Sequence, residues 1–333
     1  MSRGKAILAS IVVAAGIAAA SSVATTPGRN GLIAFQLEQG VNSGYQLFTI
    51  RPDGTGITQV THLKGGASHP NWSPHGRMIA FTEEKPPASA SLALVSPRGT
   101  GFREVTPAAP KPGPKQVWNG APVFTPDGKS LVFVRNQGPA DSGIWIMRTN
   151  GSGLRRLTRN PFVHNWNGGD EAPSVSPDGK LVSFVRVKRA GSALFTVRVD
   201  GTGLSQLTSY ALDVASKQDW SPDGKLIVLS TNAHFARPRQ SANLATIHPD
   251  GTHLTELTRF TGRKQNAYAG SFSPNGRQIA FRLEQGVACR PADAPLPGCR
   301  GALAVVDRNG QNLRLLTRLG KRRPRYIAWG PRP

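Results

Sequence analysis

The sequence predicts an all-β fold: a six-bladed β-propeller whose first blade is closed by pairing N- and C-terminal strands. Three observations lead there. A hairpin built around a Ser/Thr-Pro-(Asp/Asn/His)-Gly turn recurs along the chain. Each copy is followed by a second hairpin that ends in a Thr. The two ends of the chain each hold half of one copy.

The fullest copy is Asp219-Trp220-Ser221-Pro222-Asp223-Gly224-Lys225-Leu226-Ile227-Val228-Leu229, and others begin at Asn71, Val123, Ser174 and Ser271. Their spacing of roughly 50 residues is a propeller or solenoid period. Proline presets φ near −65° and glycine accepts the positive φ that closes the turn. A third strand at 45–50 leads through Pro52-Asp53-Gly54-Thr55-Gly56 to a fourth at 57–61. The same scheme recurs at 144–158, 194–208, 244–258 and 303–317, with a degenerate copy at 92–106. Short β-rich runs bounded by Gly turns are hairpins. Four strands per unit and six units follow.

Asn30-Gly31-Leu32-Ile33-Ala34-Phe35 matches only the second half of a copy, and Tyr326-Ile327-Ala328-Trp329-Gly330-Pro331 only the first. Pairing these halves in one blade removes two exposed sheet edges. Trp72, Phe124, Val175, Trp220, Phe272 and Trp329 share one position of the first strand and are expected to pack between blades.

The pattern Pro-x-Trp-Ser-Pro-Asp-Gly-x-x-Ile-Ala-Phe, then Asp-Gly, then Leu-Thr, runs over nearly all of residues 30–331. It resembles the WD40-like PD40 repeats of the TolB propeller. The Gly-His and Trp-Asp marks of true WD40 repeats are absent. The resemblance implies partner binding by the propeller. It also implies a departure, because an α/β domain precedes the TolB propeller and a signal at residues 1–28 leaves no room for one.

Residues 1–28 read as an export signal or an N-terminal anchor, with residues 29–333 as the propeller. Arg3 and Lys5 precede an apolar run at 7–20, and Ser22-Val23-Ala24 offers small residues for cleavage. The run is short for a membrane span. An exported protein is expected, periplasmic or secreted and associated with the cell envelope. Membrane contact is expected only through an uncleaved N-terminal segment.

The 333 residues carry 41 basic and 19 acidic side chains, a formal charge of +22. A chain this long needs no metal or disulfide staple for its core. Its charge favours an acidic protein or an anionic envelope polymer, although a merely solvated basic surface has the same composition. No nucleic-acid partner is expected of an exported chain without a binding motif.

Gly-x-Gly pieces near 54–56, 99–101, 151–153 and 201–203 are flanked by strands, whereas a phosphate loop needs a following helix. There is no Gly-x-Ser-x-Gly nucleophile elbow. The seven histidines show no zinc spacing, so no metal and no cofactor is expected. Cys289 and Cys299 flank a Pro-rich insertion and are expected to form a disulfide.

Loops that join one unit to the next should gather at one channel mouth, bringing in Lys111, Lys115, Arg159 and the basic run 321–325. The expected ligand-binding ring is His69, Asn119, Asp170, Glu171, Lys217, Arg263, Lys264, Tyr268, Arg323, Arg325 and Tyr326. A concave basic mouth with aromatic members suits an anionic ligand or acidic peptide. The function read from this is a non-catalytic binding or scaffolding module. The alternative is a propeller enzyme, a metal-assisted lyase or a lactonase-type hydrolase, with ligands such as His69, Asp170 and Glu171 converging on the axis.

Overall fold

The computed structural model describes residues 27–39, 44–85, 89–105, 117–136, 142–159, 169–188, 191–231, 241–262, 264–286 and 298–333. The predicted signal at 1–28 falls almost wholly outside them. The architecture is an all-β propeller, with one short 3-10 turn at Tyr210–Leu212 as the helical element among the described residues.

One sheet contains β1 (Asn30–Glu38), β2 (Tyr45–Ile50) and β3 (Thr58–Gln59). The next comprises β4 (Ala67–Trp72), β5 (Ile79–Lys85), β6 (Ser89–Val95), β7 (Arg103–Glu104), β8 (Trp118–Phe124), β9 (Ser130–Asn136), β10 (Ser142–Arg148) and β11 (Arg155–Arg156). Then come β12 (Gly169–Val175), β13 (Leu181–Lys188), β14 (Gly191–Arg198) and β15 (Ser205–Gln206). The following sheet holds β16 (Val214–Trp220), β17 (Ile227–Thr231), β18 (Leu244–Ile247) and β19 (Thr255–Glu256). The last holds β20 (Gln265–Phe272), β21 (Gln278–Gln285), β22 (Arg300–Asp307) and β23 (Arg314–Leu315). The final strand, β24 (Arg325–Pro331), returns to pair antiparallel with β1, placing Ile33 opposite Trp329 and Ala34 opposite Ala328.

Six separate four-stranded sheets were the expectation, and this is corrected. Four sheets have four strands, while β4 to β11 form a single sheet of eight. The cause is local: Ala90 on β6 pairs in parallel with Trp118 on β8, and the Asn119 amide donates to the Ala90 carbonyl at 3.5 Å. The first strands of the repeats touch in succession, β24 to β4, then β8, β12, β16 and β20, and β20 touches β24 again.

The repeated apolar position of those strands lies in the core, none of its six residues being more than 6% exposed. Trp72, for example, packs with Ala34, Leu47 and Ala328 from the neighbouring sheet. Buried indoles need a partner for their N–H. Trp72 donates to the Ala328 carbonyl at 3.1 Å, and Trp220 donates to Ser183 Oγ at 2.8 Å.

The motif residues have local work. Ser221 Oγ donates to Asp223 Oδ1 at 2.6 Å and accepts the Leu226 N–H at 2.9 Å, tying the turn shut. The recurring Thr of the second hairpin caps the third strand: Thr61, Thr158, Thr208, Thr258 and Thr317 accept the N–H groups of Leu47, Ile144, Leu194, Leu244 and Leu303.

Candidate functional site

Each first strand enters from the mouth and is interrupted by a β-bulge. His69, Ala121, Ala172 and Tyr326 take positive φ of 46–53° at that point, and the strand registers shift around them. Non-glycine residues rarely adopt this region, and bulges re-aim side chains near functional sites. A proline follows three of the four, Pro70, Pro122 and Pro173, and supplies no N–H to the ladder. The bulged N–H groups find side chains of the preceding unit. His69 N–H donates to Gln36 Oε1 and Ala121 N–H to Thr82 Oγ1, each at 2.9 Å.

The bulges bring His69 and Tyr326 together. Their ring centroids are 3.8 Å apart, and Trp118 approaches His69 edge-on at 6.3 Å. Ser68 Oγ donates to Glu84 Oε1 at 2.6 Å. Its single proton is thereby committed, so His69 Nδ1–H is the donor in the 2.9 Å contact to Ser68 Oγ.

A cationic cluster lies beside this aromatic group. Glu284 is fully buried and accepts from Arg323 Nη1 at 3.1 Å, and Arg282 Nε is 3.2 Å from the same oxygen. Arg325 lies over the Tyr45 ring and Arg282 over Tyr268. Two guanidinium groups therefore sit against one carboxylate, with the Arg325 charge near Arg282. Burial lowers the Arg282 pKa against the pull of Glu284, and repulsion from Arg325 and Arg323 lowers it further. Burial, with the nearby Glu284 charge, raises the Tyr268 hydroxyl far above its ordinary range.

Other expected ring members are spent elsewhere. Asp170 is fully buried and held by Arg186 and by the Thr158 hydroxyl. Asn119 accepts from Arg135 Nη1 at 2.9 Å. Lys217 lines a narrow axial cavity with Asn71, Ser174, Asp219 and Ser271, where burial lowers its pKa against the attraction of Asp219. Glu171 is half-buried and Lys264 exposed. Arg263 and Cys289 lie outside the described residues, and Cys299 is buried. Sequence reasoning missed Arg282 and Glu284. Their available signal was a pair of charges inside an otherwise apolar second strand, Ile279-Ala280-Phe281-Arg282-Leu283-Glu284.

Strands of one repeat arranged in succession, with a bulged first strand and a basic aromatic mouth, define a β-propeller of the repeat-built class. The chain belongs to the PD40 family, the TolB beta propeller domain, whose pattern matches residues 33–332. It is 26% identical over 224 residues to the uncharacterized protein Atu1656 of Agrobacterium fabrum, covering 63% of this chain and 67% of that one. It is 25% identical over 194 residues to the uncharacterized peptidase YuxL of Bacillus subtilis, covering 48% of this chain. That match spans only 28% of YuxL. The crystal structure of TolB from Acinetobacter baumannii superposes with a TM-score of 0.68 at 21% identity, covering 91% of this chain and 67% of that chain.

Proposed function

We propose that the chain is an exported, non-catalytic six-bladed propeller that binds a protein partner or anionic envelope polymer at its mouth. The six-bladed reading counts the eight-stranded sheet as two blades joined at one residue pair, and the β1–β24 pairing as the closure of the ring. Export rests on the charged and apolar pattern of residues 1–28. In that compartment Cys299 bridges to Cys289 and pins the intervening loop.

The observation that supports binding is the pair of Arg282 and Arg323 on the buried carboxylate of Glu284, with Arg325 and Tyr268 beside Arg282. Guanidinium groups concentrated in a poorly solvated place attract an incoming carboxylate or phosphate strongly. The His69 and Tyr326 rings, in contact at a tilt of 46°, add an aromatic surface. The peptidase activity in the name of YuxL is that protein's, and most of its length lies outside the match.

Capture from the native envelope fraction tests the reading. The protein should retain a defined partner at low salt and release it at high salt. Tyr326→Ala combined with Lys264→Glu should lose it while the fold persists. Retention by the double variant, or no capture by the wild type, defeats the proposal.

A further inference from the structure

The face opposite the mouth is made of the turns that end the first strands. Each such turn presents one exposed cation directly after its glycine, at Arg77, Lys129, Lys180, Lys225 and Arg277, and exposed Arg332 follows β24 on the same face. Three successive turns also carry an acid: Asp127, Asp178 and Asp223 accept the backbone N–H groups of Lys129, Lys180 and Lys225 at 3.0, 3.0 and 3.1 Å. In the other turns the acid is missing, because His75 and Asn275 stand in its place. An arc of Arg77, Arg277, Arg332 and Arg29 results, with no turn carboxylate.

The main chain ties these arginines into one surface. Gly28 N–H donates to the Pro274 carbonyl at 3.1 Å, and Arg332 N–H donates to the Arg29 carbonyl at 2.9 Å. Asn275 N–H donates to Asn30 Oδ1 at 3.2 Å. Gly76 abuts Pro331 so closely that a Cβ there would lie 2.3 Å from its carbonyl oxygen. Among the described residues none of the four guanidinium groups has a hydrogen bond or ion pair. Farther out the charges are balanced: Arg51 acts on Asp53, and Arg308 pairs with Asp223 at 2.9 Å.

A second observation points to the occupant. The chain enters the propeller at this arc, with residues 27–29 exposed beside Arg332. The 26 residues before them carry Arg3, Lys5 and the apolar run at 7–20. The chain that leads into the arginine arc is thus preceded in sequence by an apolar segment. A short apolar segment alone binds a bilayer weakly, and a neighbouring polybasic patch is the usual second contribution. Guanidinium groups match phosphate geometry with paired N–H donors.

We infer that the arginine arc docks on the headgroups of an anionic phospholipid membrane, leaving the mouth turned away from the bilayer. The three Lys turns contribute less, since each of those turns also carries a carboxylate of opposite charge.

Vesicle flotation of the full chain tests this, comparing phosphatidylcholine alone with phosphatidylcholine containing phosphatidylglycerol. The apolar run contributes to both, and Arg3 and Lys5 add equally to wild type and variants, so the change in the affinity ratio between wild type and variant isolates the arc. At about 1 kcal/mol per cation near an anionic surface, three cations give a preference on the order of 100-fold at low salt. Arg77→Gln, Arg277→Gln and Arg332→Gln together should reduce the preference by about that factor. Lys129→Gln, Lys180→Gln and Lys225→Gln, which remove the same charge from the other arc, should leave most of it. Equal loss in both variants would mean net charge alone is read, and the inference falls. It falls equally if the wild type shows no lipid preference. An arginine variant that keeps its lipid preference but loses an acidic envelope protein would overturn it too, and would make the arc a protein contact.

Discussion

Arg186 holds Asp170 by two hydrogen bonds, Nε to Oδ1 at 2.7 Å and Nη2 to Oδ2 at 2.8 Å, with neither side chain more than 5% exposed. The pair joins β12 to β13 directly across the sheet. A buried pair is costly to break because the surviving charge keeps its desolvation penalty. Arg186→Leu should therefore cost about 3–5 kcal/mol in urea unfolding. Replacing Asp170 by Leu as well should recover most of that loss. If the double variant is no more stable than the single one, the charge-pairing account is wrong.

This pair also marks how far the sequence could be read. The Ser-Pro-Asp-Gly turns, the Thr caps and the two half-copies at Asn30 and Tyr326 identify the hairpins and their order. They do so because turn chemistry is local. The partner of Asp170 is a matter of register, and the bulge between Glu171 and Ser174 shifts that register without a glycine to announce it. Lys217 illustrates the same limit. It shares the bulge position with His69 and Tyr326, yet it lines the axial cavity while those two rings pack on each other at a tilt. The fusion of two repeat units through Ala90 and Trp118 depends on how sheets approach in space, which no single repeat encodes.

Asp223 makes the turn chemistry pH-dependent. Burial pushes its carboxyl up, but the Ser221 hydroxyl, Arg308 and the Lys225 N–H outweigh that and hold it at about 2. The unfolded chain has an ordinary carboxyl near 3.9. Between these values the unfolded state binds more protons, so this stabilisation is complete above pH of about 4 and lost as pH falls through about 2. Asp223→Asn should flatten that part of the acid limb. Thermal midpoints of wild type and variant, followed from pH 5 downward, should converge near pH 2. Parallel curves over the whole range would contradict the assignment. The side chain is 39% exposed, so solvent screening keeps the effect modest.

Gly330 lets the first and second repeat units approach. A Cβ there would fall 2.3 Å from Trp72 Cδ2, and the same indole donates to the Ala328 carbonyl. Gly330→Ala must displace Trp72 from both contacts, an overpacking cost of about 1–3 kcal/mol. Thermal or urea unfolding measures it directly. Trp72→Phe in the Gly330→Ala background should lose less than Trp72→Phe alone, since the smaller ring relieves the clash. Additive losses would show that the two residues do not press on each other.

The Thr caps offer a graded comparison. Thr208 Oγ1 accepts the buried Leu194 N–H at 2.9 Å, and Thr158 Oγ1 accepts that of Ile144 at 3.0 Å. Valine keeps the shape of threonine but removes the acceptor, leaving a buried N–H without this partner at a cost of about 1–3 kcal/mol. Thr158 does more, because its hydroxyl donates to Asp170 Oδ2, an acceptor carrying full charge. Hydrogen bonds to charged groups are the stronger kind, so Thr158→Val should be the more damaging of the two by roughly 1 kcal/mol. In an Arg186→Leu background that extra penalty should grow, because Asp170 then loses its last strong donors. Equal losses for Thr158→Val and Thr208→Val in urea unfolding would mean that the Thr158–Asp170 bond contributes nothing beyond the shared cap.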